Sequence, residues 1–377
     1  MVSIRCVFRA VIIICSCFPL IDASGQQPPQ RATSGTVHAD IRSVLAAAPL
    51  KLQFRGKTRS EFQLWRSEFL AELQTMLGSS EPPVEYRVSV KERVVFPDHE
   101  RIELDLISVG LPVLPMYLLV PPGLQKGEKR PAVLAVHGHG EFGADAVVGR
   151  TDRDGIKRAI ASANYDYGLQ FVRRGYVVAA PHLVPFGPRV ERGAYRGNDP
   201  CAVTFVRMQA LGRLPITENL RDLRWCLSFL QSRTEVDPLR LGCAGLSYGG
   251  RMTMLVSAVD ERIRVAAVSG AMNLMQERFS GRHSCGSQMI PGLLLQGDYS
   301  EVGSLIAPRP CVWETGSKDS LIVPGWEDRF RERLERAYTA ADAEANLNYD
   351  RFDGGHRWNG AVAFPLFDEV LQHTPTP

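Results

Sequence analysis

The spacing of hydrophobic positions divides the chain into stretches of different period. Phe62, Trp65, Phe69, Leu73 and Met76 recur every three to four residues, which predicts an amphipathic helix over 60–77 ended by Gly78. Over 84–120 the pattern becomes alternation, clearest at 101–107, with a more apolar partner at 113–120 and a stop at Pro121-Pro122-Gly123. These read as antiparallel strands that open a sheet. From Pro131 onward, short apolar runs at 132–136, 176–180, 239–245, 265–269, 311–315 and 347–352 alternate with helical segments. The helices are expected at about 165–174, 217–232, 250–259, 324–340 and 364–373. This order predicts an α/β fold: a mostly parallel sheet with antiparallel N-terminal strands and helices on both faces. The connection at 185–213 is long, irregular and arginine-bearing, and is expected to cap or rim the site. There is no internal repeat and no low-complexity tract.

The stretch 239–252, LRLGCAGLSYGGRM, organises the rest. An apolar run is broken by a glycine-rich turn around Ser247, and an apolar helical segment follows. Gly245, Ser247 and Gly249 match G-x-S-x-G, a turn in which a strained serine presents its hydroxyl above the end of a sheet. Its glycines stand where a side chain would collide with the neighbouring strand or helix. The alternative is an ordinary tight strand-to-helix turn with a solvated serine.

Composition changes this picture little. With 45% hydrophobic and 23% charged residues over 377 positions, the chain is globular in type, enough for one large α/β domain or two small ones. A net charge of +3 without a basic block implies no nucleic-acid partner. The N-terminus adds more. Arg5 and Arg9 precede an apolar run over 10–21, and small residues follow at Ala23, Ser24 and Gly25. That is the layout of a secretory signal peptide, too short to span a bilayer. The expected division is a signal peptide at 1–25, a flexible lead-in and helix at 26–83, and the main domain at 84–377. The mature chain is expected to be exported, periplasmic or extracellular, and not membrane-bound. Of eight cysteines, Cys6, Cys15 and Cys17 fall in the signal, leaving an odd number. Cys226, Cys243 and Cys311 lie in apolar runs and read as buried hydrophobes, whereas Cys201 and Cys285 lie in polar stretches and are the candidates for a bridge.

A serine nucleophile needs a base. His283, His356 and His373 follow Ser247, and His356 lies in the glycine turn Asp353-Gly-Gly-His356 after the last apolar run, at the carboxyl end of a strand where open α/β sheets build their sites. The base needs an acid, and Asp319, just past the run at 311–315, gives the chain order Ser–Asp–His. Glu277 and Glu314 are its rivals. An oxyanion would be held by the backbone N–H groups of Tyr248 and of His139 in His137-Gly-His-Gly140. A metal at His137 and His139 lacks a carboxylate or cysteine partner, though Glu141 is near, so no metal and no cofactor is expected.

With HGHG at 137–140, GLSYGG at 245–250, the Asp319 turn and the His356 turn in this order, the chain resembles the α/β-hydrolase superfamily from about Val84 to the C-terminus. Within it the chain is similar to bacterial exported esterases of the dienelactone hydrolase and acetyl xylan esterase group. The stretches that carry this are Asn219 to Leu223 before Val236-Asp-Pro, the run 256–259 before Asp260, and Ile306 to Pro310 leading into Glu314. The resemblance implies a Ser247–His356–Asp319 triad, an acyl-enzyme and a small-molecule or carbohydrate ester substrate. Tyr248 and Arg357 depart from the group, and serine replaces the cysteine of dienelactone hydrolases, so the substrate does not carry over. The alternatives are a peptidase of the prolyl-oligopeptidase type, for whose propeller 26–83 is too short, and a non-catalytic binding protein on the same fold. The arginines of 185–213 would, if they rim the site, favour an anionic substrate over the plainer reading of a solvated loop.

Overall fold

The computed structural model describes residues 37–152, 154–281 and 284–372. The signal peptide and lead-in expected at 1–36 lie outside the described residues, as do His283 and His373.

Among the described residues, nine strands form one sheet: β1 (Arg87–Val95), β2 (Glu100–Ile107), β3 (Leu114–Val120), β4 (Arg130–Val136), β5 (Val177–Pro181), β6 (Val236–Leu246), β7 (Ile263–Ser269), β8 (Cys311–Gly316) and β9 (Leu347–Phe352). Their order is β1-β2-β3-β5-β4-β6-β7-β8-β9. The alternating stretch at the start forms the antiparallel β1–β2–β3 edge, and β3 pairs antiparallel with β5. From β5 to β9 every pairing is parallel. The difference follows from burial. β1 is largely exposed and β2 alternates, whereas β5 and β8 are buried throughout, so both faces of the parallel part need apolar side chains.

The helices are α1 (Val37–Ala46), α2 (Arg59–Leu77), α3 (Asp154–Ala163), α4 (Tyr167–Arg173), α5 (Pro200–Gln209), α6 (Pro215–Ser232), α7 (Tyr248–Val259), α8 (Met275–Gly281), α9 (Leu293–Gln296), α10 (Tyr299–Ser304), α11 (Trp326–Ala340) and α12 (Ala363–Phe367). Alternate residues of the strands feed two cores. Leu134 and Val136 pack with α2, α6, α7 and α11, while Val133 and Ala135 pack with Tyr167, Phe171, Trp358 and Phe367 on the other face. The 60–77 helix forms as the spacing predicts: Thr58 and Glu61 make a capping box, and Phe62, Trp65, Phe69, Leu73 and Leu77 are buried. Met76 is only partly buried, at the margin of that stripe.

The segment 185–213 is less irregular than expected. Asp199 caps α5 through the backbone N–H groups of Cys201 and Ala202, with Pro200 at its first turn. The last helix is shorter than its apolar pattern, because α12 gives way to a π-turn over Asp368–Gln372. α1 and α3 lie outside the helices expected from the spacing, although α3 is amphipathic, with Ile156 buried.

What the sheet does for function lies in its register. Val136 pairs with Gly245, Leu246 with Ser269, Ser269 with Glu314, and Gly316 with Phe352. The carboxyl ends of β4, β6, β7, β8 and β9 therefore finish side by side, and the loops that leave them meet.

Candidate active site

Ser247 sits between β6 and α7 with φ 65° and ψ −122°, a conformation that a non-glycine residue adopts only where its surroundings impose it. Its N–H bonds to Ser269 O at 2.8 Å, which ties the turn to the end of β7. Gly249 shows why the flanking residue is small: a Cβ there would stand 1.9 Å from Val136 O. The turn then runs directly into α7, whose first N–H groups, beginning with Tyr248, have no carbonyl within the helix to bond.

His356 and Asp319 come together as the sequence suggests. His356 Nδ1 donates to Asp319 Oδ2 at 2.7 Å, and the Asp319 side chain is 1% exposed. Leu321 N donates to the other carboxylate oxygen at 2.9 Å, and Asp319 N to Gly316 O at 3.0 Å. The β8 and β9 loops are held to each other, with Ser317 N on Phe352 O and Lys318 N on Gly354 O. The imidazole lies over Gly270, where a Cβ would meet His356 Cε1 at 2.7 Å. Gly270 directly follows Ser269, to which Ser247 is bonded. His356 Nε2 is buried and makes no hydrogen bond among the described residues, so the serine and histidine are brought to neighbouring strand ends but are not bonded to each other. Such contacts often close only around substrate.

The rivals of Asp319 do other work. Glu314 turns its carboxylate toward the backbone beyond His356, accepting from Gly360 N at 2.6 Å and Asn359 N at 3.3 Å. Burial pushes this carboxyl up to about 7. Glu277 is buried on α8, where its charge acts on Arg251.

The two histidines of the HGHG turn have separate fates. His137 is buried, with Nδ1 donating to Gly138 O at 2.7 Å and Nε2 accepting from Leu183 N at 2.9 Å. Burial pushes it down to about 4, so it is a neutral pin between β4 and the chain after β5. Gly138 N is taken by Tyr165 Oη at 2.6 Å. The His139 ring instead stands at the edge of a cavity of about 330 Å³ that also contains Ser247, Tyr248, Arg251, Arg278 and Cys285. The expectation that His139 has no cysteine partner needs correction. Cys201 Sγ lies 3.1 Å from His139 Nε2, and Cys285 Sγ is in the same cluster. Both cysteines are free thiols, so the bridge considered for them is not formed here. Sequence spacing missed the cluster because its members come from three separate connections.

Three of the arginines of 185–213 differ from expectation. Arg189 pairs with buried Asp222 at 2.5 Å, Arg213 pairs with Glu218 at 2.6 Å, and Arg207 lies over the Tyr195 ring. They hold this segment to α6 and to itself. Asn219 strengthens the same joint, exchanging hydrogen bonds with the backbone of Val184 and donating to Tyr248 Oη, all at 2.8 Å. The cations that do reach the cavity are Arg251, four residues after Ser247, and Arg278 on α8. Arg251 is 2% exposed. Its Nη2 donates to Asn273 Oδ1 at 2.5 Å and its guanidinium lies 3.7 Å from the Tyr299 ring centroid, while Nε and Nη1 bond to nothing among the described residues. Burial pushes it down to about 10, still charged at neutral pH.

This architecture and the loops at its strand ends are those of an α/β-hydrolase. No family model matches the chain. A relative named "Putative hydrolase YtaP", from Bacillus subtilis (strain 168), is 30% identical over 234 residues, spanning 60% of this chain and 73% of its own length. Among solved structures, a "putative acetyl xylan esterase" from Bacteroides fragilis NCTC 9343 superposes with a TM-score of 0.70 at 16% identity, covering 85% of this chain and 83% of that one. A glucuronoyl esterase from Solibacter usitatus gives 0.61 at 14% identity, over 86% and 97% of the two chains. The chain has the α/β-hydrolase fold and belongs to the family of that Bacillus "Putative hydrolase".

Proposed function

We propose that the chain is a serine esterase that cleaves carboxylic esters of carbohydrates through an acyl-enzyme. The observation that carries this reading is the strained Ser247 at the end of β6, with the His356–Asp319 pair seated over the next strand end. Ser247 Oγ attacks the ester carbonyl carbon while His356 Nε2, buried and without another partner, takes its proton. Asp319 fixes the Nδ1–H tautomer and stabilises the imidazolium. The oxyanion is received by the N–H of Tyr248, at the start of α7, and of His139. The tetrahedral intermediate expels the alcohol, which leaves with the proton from His356, and water then releases the acid by the same route in reverse.

The names of two structural neighbours, an acetyl xylan esterase and a glucuronoyl esterase, support an acetyl or uronoyl ester of a sugar as the substrate class. Arg251 and Arg278 narrow it, because cations beside the nucleophile favour a substrate with a carboxylate or dense hydroxyls near the scissile bond. Residues 84–377 form the hydrolase domain in this reading, with 185–213 over its mouth. The signal pattern at 1–25 makes it an exported enzyme, and among the described residues no helix is long and apolar enough to cross a membrane. Hydrolysis of p-nitrophenyl acetate, together with a fluorophosphonate adduct located by peptide mass spectrometry, tests the mechanism. The expected adduct is on Ser247. An adduct elsewhere, or no turnover of any aryl ester, rules the reading out.

A further inference from the structure

We propose that His139, Cys201 and Cys285 form a binding site for a zinc ion in the wall of the Ser247 cavity. The three residues offer one nitrogen and two sulfurs, all within 4.8 Å of one another. Zinc held at about 2.3 Å from sulfur and 2.0–2.1 Å from nitrogen sets tetrahedral ligand atoms roughly 3.5–3.8 Å apart, so the cluster closes on an ion with small side-chain adjustments. Thiolate with imidazole is also the donor set that favours zinc over calcium or magnesium.

The surroundings suit a ligand site better than a pair of core thiols. Cys226, Cys243 and Cys311 are buried among apolar neighbours, as inert cysteines are. Cys201 and Cys285 are buried as well, but they face an imidazole whose other neighbour is the cavity. Ser287 N donates to Cys285 Sγ at 3.3 Å, the kind of outer contact that orients a coordinating sulfur. Asp199 lines the same cavity and caps the helix that carries Cys201, so a carboxylate or water is at hand for the fourth position. Binding leaves both sulfurs as thiolates and the imidazole neutral, and the protons displaced from the cluster pass to solvent.

The ion would join the β4 loop, the start of α5 and the turn before residues 286–288. Those are three connections that no strand pairing holds together. It would also fix His139, the residue proposed above to receive the oxyanion through its backbone.

The test uses the full chain, reduced and treated with chelator, then titrated with cobalt(II). One equivalent is expected to produce a thiolate-to-cobalt charge-transfer band that zinc abolishes by displacement. Cys201→Ser and Cys285→Ser should each lose the band while keeping the wild-type circular dichroism spectrum. If either fails to fold, His139→Gln, at an exposed ring, serves in its place. Ser247→Ala should keep the band, which separates this site from the esterase reading. The proposal fails if folded, reduced wild type gives no band, or if the band survives in both cysteine variants. It also fails if Cys201 and Cys285 are joined as isolated and the reduced chain takes up no cobalt.

Discussion

The two walls of the cavity around Ser247 are built by different means. One wall comes from strand ends. β6, β7, β8 and β9 are in fixed register, and Ser247 and Gly270, which line the cavity, and Asp319 and His356, seated beside Gly270, leave them within a residue or a few of the last ladder hydrogen bond. The other wall is assembled from helices and connections: His139, Cys285 and the two arginines on α7 and α8, with Cys201 at the start of α5 in contact with His139 beside it. In the proposed mechanism the first wall carries the groups whose positions matter to a fraction of an ångström, and the sheet would supply that rigidity. The second would carry the groups that meet the substrate, on connections that vary at little cost to the fold.

If the first wall does the chemistry, breaking it should cost most. Ser247→Ala is expected to fold normally and to lose on the order of a millionfold in kcat, as triad nucleophiles do. Stopped assays on protein with an unchanged unfolding midpoint decide it, and activity within about tenfold of wild type removes Ser247 from the mechanism. Asp319→Asn should cost on the order of ten-thousandfold, because the amide leaves His356 in the wrong tautomer. Glu277→Gln is expected to be far milder. If Glu277→Gln is dead and Asp319→Asn turns over, the acid belongs to the strand before β8.

How much of each wall the sequence discloses follows from the same contrast. The parallel strands and the GLSYGG turn are local patterns, and Asp319 and His356 follow their strands closely, so chain order places them. Their meeting at 2.7 Å needs only that β8 and β9 be adjacent. The second wall has no such grammar. Cys201 and Cys285 are 84 positions apart, by their numbers, and meet through packing of α5 on the turn over Gly286–Gln288. The arginines of 185–213 look like a rim in a list of residues, yet Arg189 and Arg213 are spent on Asp222 and Glu218. Arg251 looks like a helix residue and ends in the cavity. Asp199-Pro200 was a legible helix start, masked by the glycines and arginines around it.

The second wall is expected to act on substrate choice. Arg251→Met should raise KM for an ester that carries a carboxylate by roughly ten- to hundredfold, the worth of one or two charge-assisted hydrogen bonds. For a neutral ester of the same size, kcat/KM should change by no more than about threefold by the same reckoning. Equal losses on both esters would mean that Arg251 supports the Asn273 loop rather than the substrate.

The smallest expected effect on rate, and the most specific, concerns Glu314, which is chemically able to be the acid but is placed behind the histidine. Its carboxylate accepts from Gly360 N and Asn359 N and so anchors the loop beyond His356. Glu314→Gln keeps one acceptor oxygen for that loop, and kcat should stay within about tenfold, well short of the loss expected for a triad acid. The pH dependence of stability should change more clearly. Burial raises the folded-state carboxyl from 4.5 to about 7. Between those values the folded chain holds a proton that the unfolded chain has lost, so this group's contribution is fully present below pH 4.5 and is lost as the pH rises through 7. The loss amounts to roughly 3 kcal/mol at most. Glutamine has no proton to lose, so between pH 5 and 8 the urea midpoint of Glu314→Gln should fall less than that of wild type. A wild-type midpoint that does not fall relative to the variant over this range would mean that Glu314 is already ionised at pH 5. Its two backbone donors would then outweigh its burial, and it would be a charged neighbour of the histidine loop rather than a neutral anchor.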